Sequence, residues 1–107
     1  MAFADDYEFG LLVNDAFEAV IAELDYQLSL EENEDACRCH DCVLDMAALA
    51  LNNVKPAYRS SLVGVIYAQK LYNDEQTKNE IENAVREAIA KVKANPLHSV
   101  DESEESE

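Results

Sequence analysis

The sequence predicts an all-α protein, a compact domain of three or four helices around a buried central helix. Three observations lead there. The chain has two glycines and two prolines in 107 residues and is rich in Ala, Leu, Glu and Lys, a composition that favours helix locally. Between Phe9 and Leu28, apolar residues recur at spacings of three and four, the period of one helix face. From Val43 to Val54 the chain is apolar nearly all round the helical wheel, as in a helix covered on every side.

Taken in order, residues 1–8 form a weakly held arm. The first stripe comprises Phe9, Leu12, Val13, Ala16, Phe17, Val20, Ile21, Leu24 and Leu28, with Asp15, Glu18, Glu23 and Asp25 elsewhere on the wheel. It is broad enough for a core or dimer face. Phe3, Tyr7 and Phe9 are expected to help close that core or a dimer, the alternative being a partner-binding patch on the arm. Glu31-Glu32-Asn33-Glu34-Asp35 reads as a solvated connector.

A second helix is expected from His40 or Asp41 through about Asn53, with an acid in its first turn to suit the helix dipole. Asn52-Asn53 is a plausible stop, and Pro56 biases Lys55 towards extended geometry. Ser60 or Ser61 can cap a third helix holding Leu62, Val63, Val65, Ile66 and Leu71. The β-branched residues around Gly64 leave a short strand as the alternative. Asn73 or Asp74 then caps a last helix that puts Ile81, Ala84, Val85, Ala88, Ile89 and Val92 on one face and ends before Pro96. Residues 61–94 are read as two helices or one with a bend. Residues 1–96 make the domain; residues 97–107 are an acidic tail with too little apolar content to fold, expected to be disordered.

With 23 acids against 8 bases the formal charge is −15, a field that repels nucleic acid and anionic membrane. No apolar stretch is long enough to span a bilayer, and the N-terminus lacks the basic and apolar regions of a signal peptide. Three cysteines, an odd number crowded into six residues, suit a reducing cytoplasm better than a disulfide framework. Four amphipathic segments in so short a chain leave apolar surface to cover, so a homodimer is expected.

Two features carry chemistry. Cys37-x-Cys39-x-x-Cys42 sets three thiols before a helix N-terminus, where thiolate is favoured and zinc is a fitting ion. The fourth ligand would be His40, His98, Asp41, water or a residue of a second subunit; the plainer reading is three reduced cysteines packing the turn. Neither histidine has an orienting partner by spacing, so no nucleophilic pair is read here and the protein is not expected to be an enzyme. The second feature is electrostatic. From Met46 to Asn73 there is no Asp or Glu, while Lys55, Arg59 and Lys70 alternate with Tyr58, Tyr67 and Tyr72. Arg59 can fork onto a phosphate or a guanine edge, Tyr58 can stack on a base, and Arg38 can add a donor. The competing explanation is burial, with the bases reaching out to solvent along their stems. Asp45, the one acid between Val43 and Asn73, needs a partner if it is nearly buried, and Arg59 or a helix N-terminus would serve; the pair with Arg59 is the testable expectation.

The cysteine turn leads into Leu44-Asp45-Met46-Ala47-Ala48-Leu49-Ala50-Leu51-Asn52 and then Pro56-Ala57-Tyr58. This run resembles the signature of the bacterial late competence family ComFB. The resemblance is close over the middle third of the chain and one of helical outline elsewhere. It implies a cytoplasmic, non-enzymatic receptor for cyclic di-GMP that links the messenger to competence, motility or cell size through a regulatory protein. It points to the Lys55-Pro56-Ala57-Tyr58-Arg59 turn, with Arg38, as the ligand-binding residues. Some relatives carry further cysteines near the C-terminus that this chain lacks. The alternative function is an adaptor held by a zinc knuckle at Cys37, Cys39 and Cys42 with no small-molecule ligand; a thiol redox sensor using Cys39 and Cys42 is a third.

Overall fold

Caps and burial decide where the helices lie. The computed structural model describes residues 2–60 and 73–96. In order these form α1 (Ala2–Asp5), a 3-10 turn (Phe9–Leu11), β1 (Val13–Asn14), α2 (Asp15–Leu28), a second 3-10 turn (Glu31–Asn33), α3 (His40–Leu51), β2 (Tyr58–Arg59) and α4 (Glu75–Ala94). The described residues are mostly helical, as the sequence predicts. The third helix expected over residues 61–71, with Lys70, Tyr67 and Tyr72, and the acidic tail with His98 lie outside the described residues.

The longest helix follows its sequence pattern closely. Asp74 caps α4 by accepting from the Thr77 amide at 3.1 Å, and Lys91 and Lys93 meet the carbonyl end of its dipole. Ile81, Ala84, Val85, Ala88, Ile89 and Val92 are all buried. Each large aliphatic side chain among them contributes about 1.5–3 kcal/mol on burial.

Helix α2 departs from expectation at its start. The apolar stripe begins at Phe9, but the helix begins at Asp15, where extended Asn14 turns its side-chain oxygen back onto the Ala16 amide. Ahead of it, β1 pairs antiparallel with β2, Val13 opposite Arg59 and Asn14 opposite Tyr58. The pairing straightens residues that periodicity alone would wind into the helix. Ala16, Val20, Leu24 and Leu28 are buried, whereas Phe17 and Ile21, on the same stripe, remain exposed.

Helix α3 packs most extensively on α4 and also on α2, so three helices share one core. Cys42, Met46, Ala47 and Ala50 form its inner face, and the small alanines allow close approach. Its burial is one-sided within the chain. Leu44 is 54% exposed and Ala48 also faces outward, so among the described residues the helix is not covered all round as expected. No helix among the described residues is long and apolar enough to cross a membrane.

Candidate functional site

The chain places its unusual residues at opposite ends of α2. At one end the cysteine turn starts α3. Cys39 is the N-cap, its sulfur accepting from the Cys42 amide at 3.4 Å, a cap that the sequence reading missed because it starts the helix at His40 or Asp41 without a thiol cap. The three sulfurs lie within 4.8 Å of one another; Cys42 is fully buried in the core, and Cys37 and Cys39 are half-buried. The hydrogen bond donated by the Cys42 amide holds the Cys39 thiol below its ordinary range. Burial pushes the Cys42 thiol up to about 12, and the neighbouring sulfurs add to that. The spacing suits three corners of a zinc tetrahedron, whose edge is about 3.8 Å for sulfur ligands, and a bound cation would reverse the Cys42 preference for thiol. Among the described residues only these three come together as possible ligands. His40 and Asp41 face each other at 3.8 Å on the surface, and His98 lies outside the described residues.

Polar contacts tie down the same end. The Arg38 guanidinium donates to the Leu28 carbonyl at 3.0 Å, covering an open carbonyl at the end of α2. Buried Gln27 donates to Glu23 and to the Glu82 carbonyl, and buried Asn33 donates to the Gln27 carbonyl at 2.9 Å. Lys93 reaches across from α4 to Asp35 at 3.0 Å.

At the other end lies the Lys55–Arg59 turn. Its backbone is held by Asn14, whose side-chain oxygen accepts from the Ala57 amide at 2.8 Å as well as capping α2, and by the Asp15 amide, which donates to the Ala57 carbonyl at 2.9 Å. Beside it opens a groove of about 780 Å³, whose lining includes Phe17, Glu18, Asn52, Pro56 and Tyr58. Apolar walls with a few amide and carboxylate groups are what a small-molecule site uses to fix orientation.

The residues that the sequence groups together are therefore split. Tyr58 lines the groove. Lys55 lines a separate small cleft of about 90 Å³ towards α4, with Thr77, Glu80 and Ile81. Arg59 lies next to the groove in sequence but binds Asp15, its Nε donating to the carboxylate at 2.8 Å. That overturns the expected Asp45–Arg59 pair: strand pairing sets Arg59 beside the first residue of α2, whereas Asp45 sits on α3. Arg38, at the far end of α2, is a helix length of about 21 Å from the turn and does not join it within one chain. The run from Met46 to Asn73 is acid-free in sequence but not in space, because Asp15, Glu18 and Glu80 come in from other helices. Asn14, Phe17, Glu18 and Asn52 are among the groove residues that sequence reasoning did not place at the site. Only Asn14 gave a signal, as a capping residue type followed by an acid inside the stripe.

A family model described as Late competence development protein ComFB matches residues 13–96. Among solved structures, that of the late competence protein ComFB from Bacillus subtilis aligns with a TM-score of 0.62 and 28% sequence identity, covering 84% of this chain and 99% of that one. A search of curated proteins gives no significant match.

Proposed function

Because the chain belongs to the ComFB family of late competence development proteins, we propose that it serves competence-related regulation as a non-enzymatic, cytoplasmic receptor for cyclic di-GMP. The observation that carries this reading is the open groove between the α2 N-terminus and the Pro56–Tyr58 turn. Its volume of about 780 Å³ admits a dinucleotide. Tyr58 and Phe17 offer surfaces for stacking, and Asn52 offers an amide. Glu18 offers a carboxylate to the N–H groups of a guanine edge, a pattern that adenine does not present. Arg59, which follows Tyr58, is the cation nearest the groove in sequence, while Lys55 lies in the separate cleft towards α4. The Arg59 Nε is held by Asp15, and its two Nη groups have no partner among the described residues, which leaves them for a phosphate. Ligand binding would favour one arrangement of the turn against α2 and so change affinity for a regulatory protein partner. A homodimer would bring a second groove, and with it a second copy of Arg38, into the assembly.

The test is calorimetric titration of cyclic di-GMP into the full chain, with cyclic di-AMP and GTP as controls. Selective binding that weakens about tenfold in Tyr58→Ala and in Arg59→Ala is expected. Selective binding that neither variant alters would keep the receptor and refute the groove. No binding of cyclic di-GMP would refute the receptor.

The sulfur cluster favours one second reading, a zinc-knuckle adaptor. Cys37, Cys39 and Cys42 would hold the ion, and its chemistry would be structural: fixing the turn that starts α3. Stoichiometric zinc in protein purified without chelator, together with no nucleotide binding, would favour it.

A further inference from the structure

Residues 2–12 precede the stretch matched by the family model and bury nothing in the core. Of the expectation that their aromatics help close the core or a dimer, the first half is not met: they do not enter the core of the chain. Phe3, Tyr7 and Phe9 pack on one another instead, with ring centroids 5.1, 6.0 and 6.1 Å apart. The three rings remain 66%, 59% and 48% exposed, and Leu11 beside them is exposed as well. Aromatic rings gathered on a surface form a concentrated apolar patch, and such patches mark interaction sites.

Charge says what kind of partner fits. Asp6 and Glu8 flank the rings and are exposed. The first 37 residues contain no Lys or Arg. A second copy of this arm would meet the patch with like charge, and an anionic lipid surface would be repelled. A Lys or Arg side chain, by contrast, can lie on a ring face while its charge meets a carboxylate at the rim. From this combination we propose that the Phe3–Tyr7–Phe9 cluster is a docking surface for a basic, amphipathic segment of another protein. The inference is independent of the groove and of any nucleotide.

It can be tested on the full chain with a fluorescent 18-residue amphipathic helix of leucine and lysine, followed by polarisation at physiological salt, beside the same peptide with glutamate for lysine. The lysine peptide is expected to bind and the glutamate peptide not to. Phe3→Ala with Phe9→Ala, and separately Asp6→Asn with Glu8→Gln, should each weaken binding about fivefold or more. Glu104→Gln with Glu105→Gln removes the same charge from the far end of the chain and should leave binding unchanged. The rings lie outside the core, so the aromatic variant should melt at the wild-type temperature. No binding of the lysine peptide, binding indifferent to the ring substitutions, or equal weakening by the C-terminal pair would each overturn the proposal. The last would mark the attraction as that of a polyanion at large.

Discussion

The two ends of α2 are built on different principles. At the C-terminal end long-range polar contacts tie the chain down: Arg38 on the Leu28 carbonyl, Asn33 on Gln27, Lys93 on Asp35, and three sulfurs gathered at the start of α3, one of them fully buried. At the N-terminal end the backbone of the turn is fixed by Asn14 and Asp15, while the side chains above it stand open over a groove. Closed packing of this kind stabilises; an open wall on a fixed backbone is how a protein presents groups to something else. The contrast separates residues that hold the fold from residues that can change without unfolding it.

The largest effect should come from the closed end. Cys42→Ser puts a hydroxyl where the thiol is fully buried, and about 1–3 kcal/mol of stability should be lost. Tyr58→Ala, exposed at the open end, should change stability by less than about 0.5 kcal/mol. Urea denaturation of both variants, reduced and with chelator, checks the contrast; equal losses would break it. An intermediate effect belongs to the fixed backbone of the open end. Asn14→Ala removes an N-cap and the acceptor for the Ala57 amide together and should cost about 1–2 kcal/mol, while Asn14→Asp keeps an oxygen there and should retain most of it.

The smallest effect is acid-dependent and again at the closed end. The hydrogen bond from Lys93 holds the Asp35 carboxyl below its usual range. A carboxyl so depressed in the folded state stabilises it above the unfolded value, near about 4, and that contribution disappears as pH falls through the folded value. The small stability difference between wild type and Asp35→Asn should therefore be present at neutral pH and vanish in acid. Denaturation midpoints between neutral pH and pH 3 measure it; a difference that grows on acidification would contradict the Lys93 pairing.

How much of this the sequence disclosed depended on the range of the interactions. For α4 the cap, the buried face and the stop before Pro96 are local, and all were legible in residues 74–96. The start of α2 was not, because it is decided by pairing with residues 58 and 59, and two-residue strands carry no alternation to read. The same distance hid the partner of Arg59. Asp45 is nearer in sequence and lies on an apolar helix, yet Asp15 takes the pair because the strands bring it there. The exposure of Phe17, Ile21 and Leu44 shows the limit of the apolar stripes: they tell which residues avoid water, not whether the chain itself supplies the cover. For the candidate site, the thiol cluster was legible because its members lie within six consecutive residues, whereas the groove draws on two stretches, residues 12–18 and 51–58, that are far apart in sequence.

The hydrogen bond from the Ala57 amide to Asn14 spans 43 residues. Closing a loop of that length costs chain entropy before any contact compensates it, so the bond has to wait until α2 and α3 lie side by side. The native shape of the Pro56–Arg59 turn thus rests on a contact from far along the chain and not on its own neighbours, which links the geometry of the open groove to the docking of the helices beneath it.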